Sequence, residues 1–184
     1  MALLIVGLIL FFGVHLVPST PLRSSMVAKL GEDPFKGVFS LVSLAGFVLI
    51  VYGFMQTEFV PLFDPLPWGR DLAYALAPVA MVLLVASNTP NNLKRFLHHP
   101  MLIGIALWSG AHLAANGDLA STLIFLSFGI FAVLDIVLVE LGGRYKPAAP
   151  VSLVWDIVTV IIGLAFATLV FYFHYYVSGV PLVA

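Results

Sequence analysis

The chain has no cysteine, which removes disulfides, thiolate metal ligands, iron–sulfur clusters and cysteine nucleophiles together. Any metal or cofactor iron must then be held by His, carboxylate, Met or Tyr. Charge is scarce too: only 9% of residues are Asp, Glu, Lys or Arg, against about 25% in an average soluble domain. A net charge of -1 argues against a nucleic-acid partner, which needs a basic surface, and no polybasic lipid-binding tract is present. The sequence also lacks a Walker loop, a GxGxxG, an HExxH and a GxSxG, which sets aside nucleotide-driven and hydrolytic work.

What is abundant is apolar: 61% of the 184 residues are hydrophobic and the mean hydropathy is +1.10. A soluble domain of this size has too little interior to hide that surface from water, so a lipid bilayer is the expected partner of most of the chain. In hydrocarbon every backbone polar group must be paired internally, which allows helices or a closed barrel. Barrel strands alternate in polarity, whereas these runs are apolar throughout, so helices are predicted. Runs long enough to cross about 30 Å of hydrocarbon, at about 20 residues each, lie near 1–18, 36–57, 71–88, 100–116, 119–141 and 152–178. The expected fold is an all-α integral membrane protein, one transmembrane domain over 1–184 built as a bundle of about six helices. The first run lacks a basic n-region and a small-residue cleavage site and reads as a retained span.

Clusters of Gly, Pro, Asn and Asp mark loops at 18–21, 31–34, 61–67, 88–92, 116–118 and 142–150. The Asn116-Gly117-Asp118 loop is so short that spans four and five must form a tight antiparallel hairpin. Seven of the eight basic residues fall on the odd loops: Arg23, Lys29, Lys36, Lys94, Arg95, Arg144 and Lys146. Only Arg70 is on the other side. The positive-inside rule therefore puts the odd loops in the cytoplasm and both termini in the opposite compartment.

Ionisable residues at membrane depth are costly and are the default functional candidates. One tier holds His15, His98, His99, Asp135, Glu140 and Asp156, the other His112, Asn116, Asp118 and His174. In span four Gly104, Trp108, His112 and Asn116 recur every four residues and share a helical face, with Ala106, Gly110 and Ala114 as a second, small-residue stripe. Such a stripe means close helix packing or room for a flat ligand. In span six Asp156, Thr159, Gly163, Ala167 and His174 fall on one face, which should point inward. Asp118 reads as a helix cap, His98 and Glu140 as interfacial residues that snorkel, and His174 as an anchor within an aromatic belt. His15, His99 and His112 are the stronger functional candidates. Two imidazoles in a bundle without cysteine suit haem iron or a transition metal.

Two segments carry a family resemblance: Phe12-x-x-His15-x-x-Pro18-Ser19, and His99-Pro100-Met101-Leu102-x-Gly104-x-x-Leu107-Trp108-x-x-Ala111-His112-Leu113-x-x-Asn116-Gly117-Asp118. Over nearly its whole length the chain resembles the NnrU family of bacterial membrane proteins, which is associated with denitrification and nitric oxide metabolism. That family is similar to 15-cis-zeta-carotene isomerase, a haem b membrane enzyme. The resemblance implies an inner-membrane protein that holds haem b, with His15 and His112 matching the two haem histidines; Trp108 and Asn116, which share the His112 face by spacing, are then candidate cofactor-binding residues. Nitric oxide or an apolar small molecule is the implied ligand, with isomerase-like chemistry as one implied activity. Ser109 stands where the isomerase has a cysteine, and His98 where the family usually has Arg.

At about 1.5 Å per residue, His112 lies roughly 18 Å along its helix from the cytoplasmic end, so His99 is the alternative partner of His15 by height. The His99-Pro100 pair with Gly104, and Glu140 with Arg144 and Tyr145, also resemble the isoprenylcysteine carboxyl methyltransferase group, which implies S-adenosylmethionine. A non-catalytic membrane scaffold is the third reading. Catalytic residues, substrate and a homo-oligomeric state are left open by the sequence.

Overall fold

The computed structural model describes residues 1–143 and 148–182. The basic residues Arg144 and Lys146, and Tyr145, lie outside the described residues. Among the described residues there are seven α-helices: α1 (Ala2–Leu16), α2 (Leu22–Leu30), α3 (Glu32–Met55), α4 (Gly69–Asn88), α5 (Pro100–Ala115), α6 (Leu119–Leu141) and α7 (Leu153–Ser178). Five of the described helices are long and apolar enough to cross a membrane, and α5, of 16 residues, is apolar but shorter. The fold is thus an all-helical, multi-pass membrane architecture, as composition requires. The chain divides into two compact units, Met1–Val60 and Pro61–Ala184.

In the first unit α1 packs along α3, and glycine sets how closely. A Cβ on Gly7 would lie 2.6 Å from the Ile50 nitrogen, and one on Gly46 2.8 Å from the Phe11 nitrogen. Small residues at such crossings let backbones gain dispersion contact where lipid removes any hydrophobic drive. Pro18 ends α1 in a 3-10 turn, Val17–Ser19. The first loop is not irregular throughout, since α2 occupies it, and Leu22 to Leu30 contain neither Gly nor Pro. Gly31, at φ 87°, closes α2, and α3 begins at Glu32, four residues before the hydrophobic run. Pro34 is no obstacle there, because first-turn amides have no intrahelical acceptor. Glu32 accepts from Arg23 at 2.7 Å and pairs with Lys36 at 3.5 Å.

In the second unit α4 packs against both α5 and α7, and α5 also against α6. The Pro-rich segment before α4 lies over the α5–α6 turn: Leu62 and Phe63 amides donate to the Gly117 carbonyl at 2.8 and 3.1 Å, and the Leu66 amide to Ala114 at 3.0 Å. The α7 face is as the sequence predicts. Thr159 and Gly163 are buried and Asp156, Ala167 and His174 half-buried, while Ile157, Ile161, Leu164 and Phe171 face outward. A Cβ on Gly163 would meet the Val82 Cα at 2.6 Å, and the Thr159 and Thr89 hydroxyls are 2.7 Å apart. Asp156 accepts from the Asn92 amide and from Asn92 Nδ2, both at 2.7 Å, and Asn92 Nδ2 also donates to the Val151 carbonyl at 2.9 Å. A carboxylate at membrane depth is here a clasp between α7 and the segment that follows α4.

Candidate functional site

The α5–α6 hairpin is built from its turn. Asp118 caps α6, accepting from the Ser121 amide at 2.9 Å, which satisfies one orphan donor of the first turn. Asn116, at the end of α5, donates through Nδ2 to the His112 carbonyl at 2.8 Å. Asn116 is therefore placed on the backbone of the His112 turn. Ser109 is almost fully buried and its hydroxyl donates to the Phe125 carbonyl of α6, so it is spent on fastening two helices.

His112 sits among aromatic rings. Its imidazole lies 5.0 Å from Trp108 and 4.6 Å from Phe125, and Trp108 is 5.0 Å from Phe125 and 5.4 Å from Phe128. Nδ1 is 2.8 Å from the Trp108 carbonyl oxygen. A carbonyl only accepts, so Nδ1 carries the hydrogen, and in the neutral ring Nε2 holds the lone pair. His15, in the first unit, repeats this local arrangement. Its Nδ1 donates to the Phe11 carbonyl at 2.7 Å, the Phe11 ring stacks on it at 4.1 Å, and Phe39 of α3 meets it edge-on at 5.2 Å. In both cases a helical histidine bonds the carbonyl one turn back.

His99 is differently placed. It is the N-cap of α5, and its Nε2 lies 2.8 Å from Glu140 Oε1, the atom that also takes His98 Nδ1 at 3.1 Å. Glu140 thereby ties the start of α5 to the end of α6. From the sequence Glu140 reads as an interfacial residue and as part of the methyltransferase resemblance, and its pairing with His98 and His99 is not foreseen. The signal available was the hairpin itself, because a turn at residues 116–118 brings the late part of span five alongside the early part of span four. Among the described residues, no group of three or more His, Asp or Glu side chains is arranged to hold a metal ion. Asp135 is half-buried on α6, and His174 bonds the Val180 carbonyl and the Ser178 hydroxyl at the end of α7.

The two stripes on α5 differ in packing, and the close contact falls on the His112 stripe, to which Gly104 belongs, not on Gly110 of the small-residue stripe. Gly110 is exposed with open space around it, whereas the close-packing glycine of α5 is Gly104, where a Cβ would meet the Ala80 carbonyl at 2.9 Å. A family model described as NnrU protein matches residues 3–182. The chain belongs to the NnrU family. No curated protein and no solved structure matches it. In this NnrU chain the residues that carry the resemblance do separate work: Pro100 starts α5, Gly104 seats it on α4, and His112 with Trp108 forms the aromatic nest.

Proposed function

We propose that this NnrU chain is a haem b protein of the bacterial inner membrane, with His15 and His112 as iron ligands, and that it serves nitric oxide metabolism in denitrification. One observation supports the ligand choice above all: both imidazoles spend Nδ1–H on the carbonyl four residues back. Histidines that bind metal almost always donate the second ring nitrogen in this way, which fixes the tautomer and aims Nε2 as the ligand atom. His99 has its Nε2 engaged by Glu140, which favours His112 over it. Phe11 and Phe39 beside His15, and Trp108 and Phe125 beside His112, give each imidazole apolar walls of the kind a porphyrin requires.

Haem would supply a redox-active iron, with bis-imidazole ligation suited to electron transfer or sensing and an open position suited to nitric oxide or an apolar ligand. The residues' own part is to fix the ring tautomers, exclude water and hold the helices in register. Isomerase-like chemistry would have to do without a thiol at position 109, whose hydroxyl is already committed to Phe125. The test is the absorption spectrum of protein purified in mild detergent, with His15→Ala, His112→Ala and His99→Ala made singly. The expected result is a Soret band in the parent that is lost or shifted in the first two variants and kept in the third. A parent without haem, or a spectrum indifferent to His15 and His112, overturns the proposal.

A second reading, an S-adenosylmethionine-dependent methyltransferase, is favoured by one contact, that of His99 with Glu140. Calorimetric titration with S-adenosylhomocysteine tests it. Saturable binding supports it, and no heat at millimolar concentration removes it.

A further inference from the structure

The second unit carries a groove that none of the histidines discussed above lines. It is lined by Leu84, Val85, Asn88 and Thr89 of the end of α4, Met101 of α5 and Phe166 of α7. Its walls are apolar and open outward, since Met101 is 44% and Phe166 40% exposed. Polar groups gather at one end only. Asn88 Nδ2 is held by the Ser87 hydroxyl at 2.8 Å and the Leu84 carbonyl at 3.3 Å, and the Lys94 ammonium lies 3.5 Å from the Ser87 carbonyl, one residue from the groove wall. Arg95 follows on the same 3-10 turn, its guanidinium 5.9 Å over the ring of Phe96, which is 75% exposed.

We propose that this groove is a binding site for one anionic phospholipid, with an acyl chain along Leu84, Val85, Met101 and Phe166 and the phosphate at Lys94 and Arg95. The argument is one of complementarity. An open apolar trough at membrane depth is covered by a lipid tail, and Lys94 at its polar end, with Arg95 next to it on the same 3-10 turn, selects the charge of the headgroup. Basic pockets between transmembrane helices are known to hold such headgroups. The site is a trough with a charged mouth, distinct from a polybasic tract, and it is independent of the haem reading. Lys94 also complements the carbonyl end of α4, so the test must separate lipid selection from helix capping.

The full-length protein is stripped of lipid in detergent and titrated with phosphatidylglycerol and with phosphatidylcholine of the same chains, and adducts are counted by native mass spectrometry. The expected result is one phosphatidylglycerol held in preference to phosphatidylcholine, with the preference falling by about fivefold for each cation removed in Lys94→Gln and Arg95→Gln. Met101→Trp, at an exposed position where the larger ring plugs the trough, should weaken both lipids while helix content by circular dichroism is unchanged. Equal retention of the two lipids by the parent, or an undiminished preference in the double Gln variant, overturns the proposal. So does unaltered phosphatidylglycerol binding in a folded Met101→Trp protein, because the chain would then lie elsewhere.

Discussion

Removing the Asp156 carboxylate should loosen the second unit without touching any histidine. In Asp156→Ala the Asn92 amide and Asn92 Nδ2 each lose an acceptor at 2.7 Å. Hydrogen bonds to a charged group are worth about 1.5–3 kcal/mol each. Asn92 is only half-buried, so water recovers part of the loss, and the expected cost is about 3 kcal/mol in all. Asp156 also lies in the first turn of α7, where a negative charge contributes a further few tenths of a kcal/mol at the helix N-terminus. For a protein of this size about 2–4 °C of Tm accompanies each kcal/mol, so thermal unfolding in detergent should show a fall of roughly 6–12 °C. Asp156→Asn keeps one oxygen acceptor and should fall between the two. A double-mutant cycle with Asn92→Ala isolates the pair, with a coupling of about 1.5–3 kcal/mol expected. A Tm for Asp156→Ala within about 2 °C of the parent, or additive single variants, would refute the clasp.

Gly163→Ala should destabilise by about 1–3 kcal/mol through overpacking against Val82, whereas Gly110→Ala, with open space at its Cα, should be neutral or gain up to about 1 kcal/mol from helix propensity; chemical unfolding of the two variants side by side checks the contrast. Asp118→Ala removes the cap on the Ser121 amide and should cost about 1 kcal/mol, read as faster amide exchange in the first turn of α6. The distribution of basic residues predicts that reporters fused after Lys94 read cytoplasmic and those at Ala184 do not; a cytoplasmic C-terminus would contradict the orientation.

The spans were legible because lipid leaves the sequence little choice: an uncharged apolar run of about 20 residues has to be a helix. The inward face of α7 was legible for the same reason, since Asp156, Thr159 and Gly163 are the residues on that helix least suited to lipid. Helix α2 was missed because its nine residues, though bounded by Pro21 and Gly31, are too short and too weakly hydrophobic to read as a span. Of the two four-residue stripes on α5, spacing alone did not tell which would meet a neighbour. Gly104 packs on α4 and Gly110 does not, a distinction that depends on how the helices cross. The candidate histidines stood out one by one. Their roles did not, because a bond such as Nδ1 of His112 to the Trp108 carbonyl, or Glu140 to His98 and His99, is fixed by rotamers and hairpin register.

The most direct test of the account is the pyridine haemochrome spectrum of the purified full-length protein, reduced minus oxidised, set against its protein concentration. The account predicts a b-type spectrum at about one haem per chain. Protein that is folded, helical and expressed with ample haem, yet carries none, would contradict it.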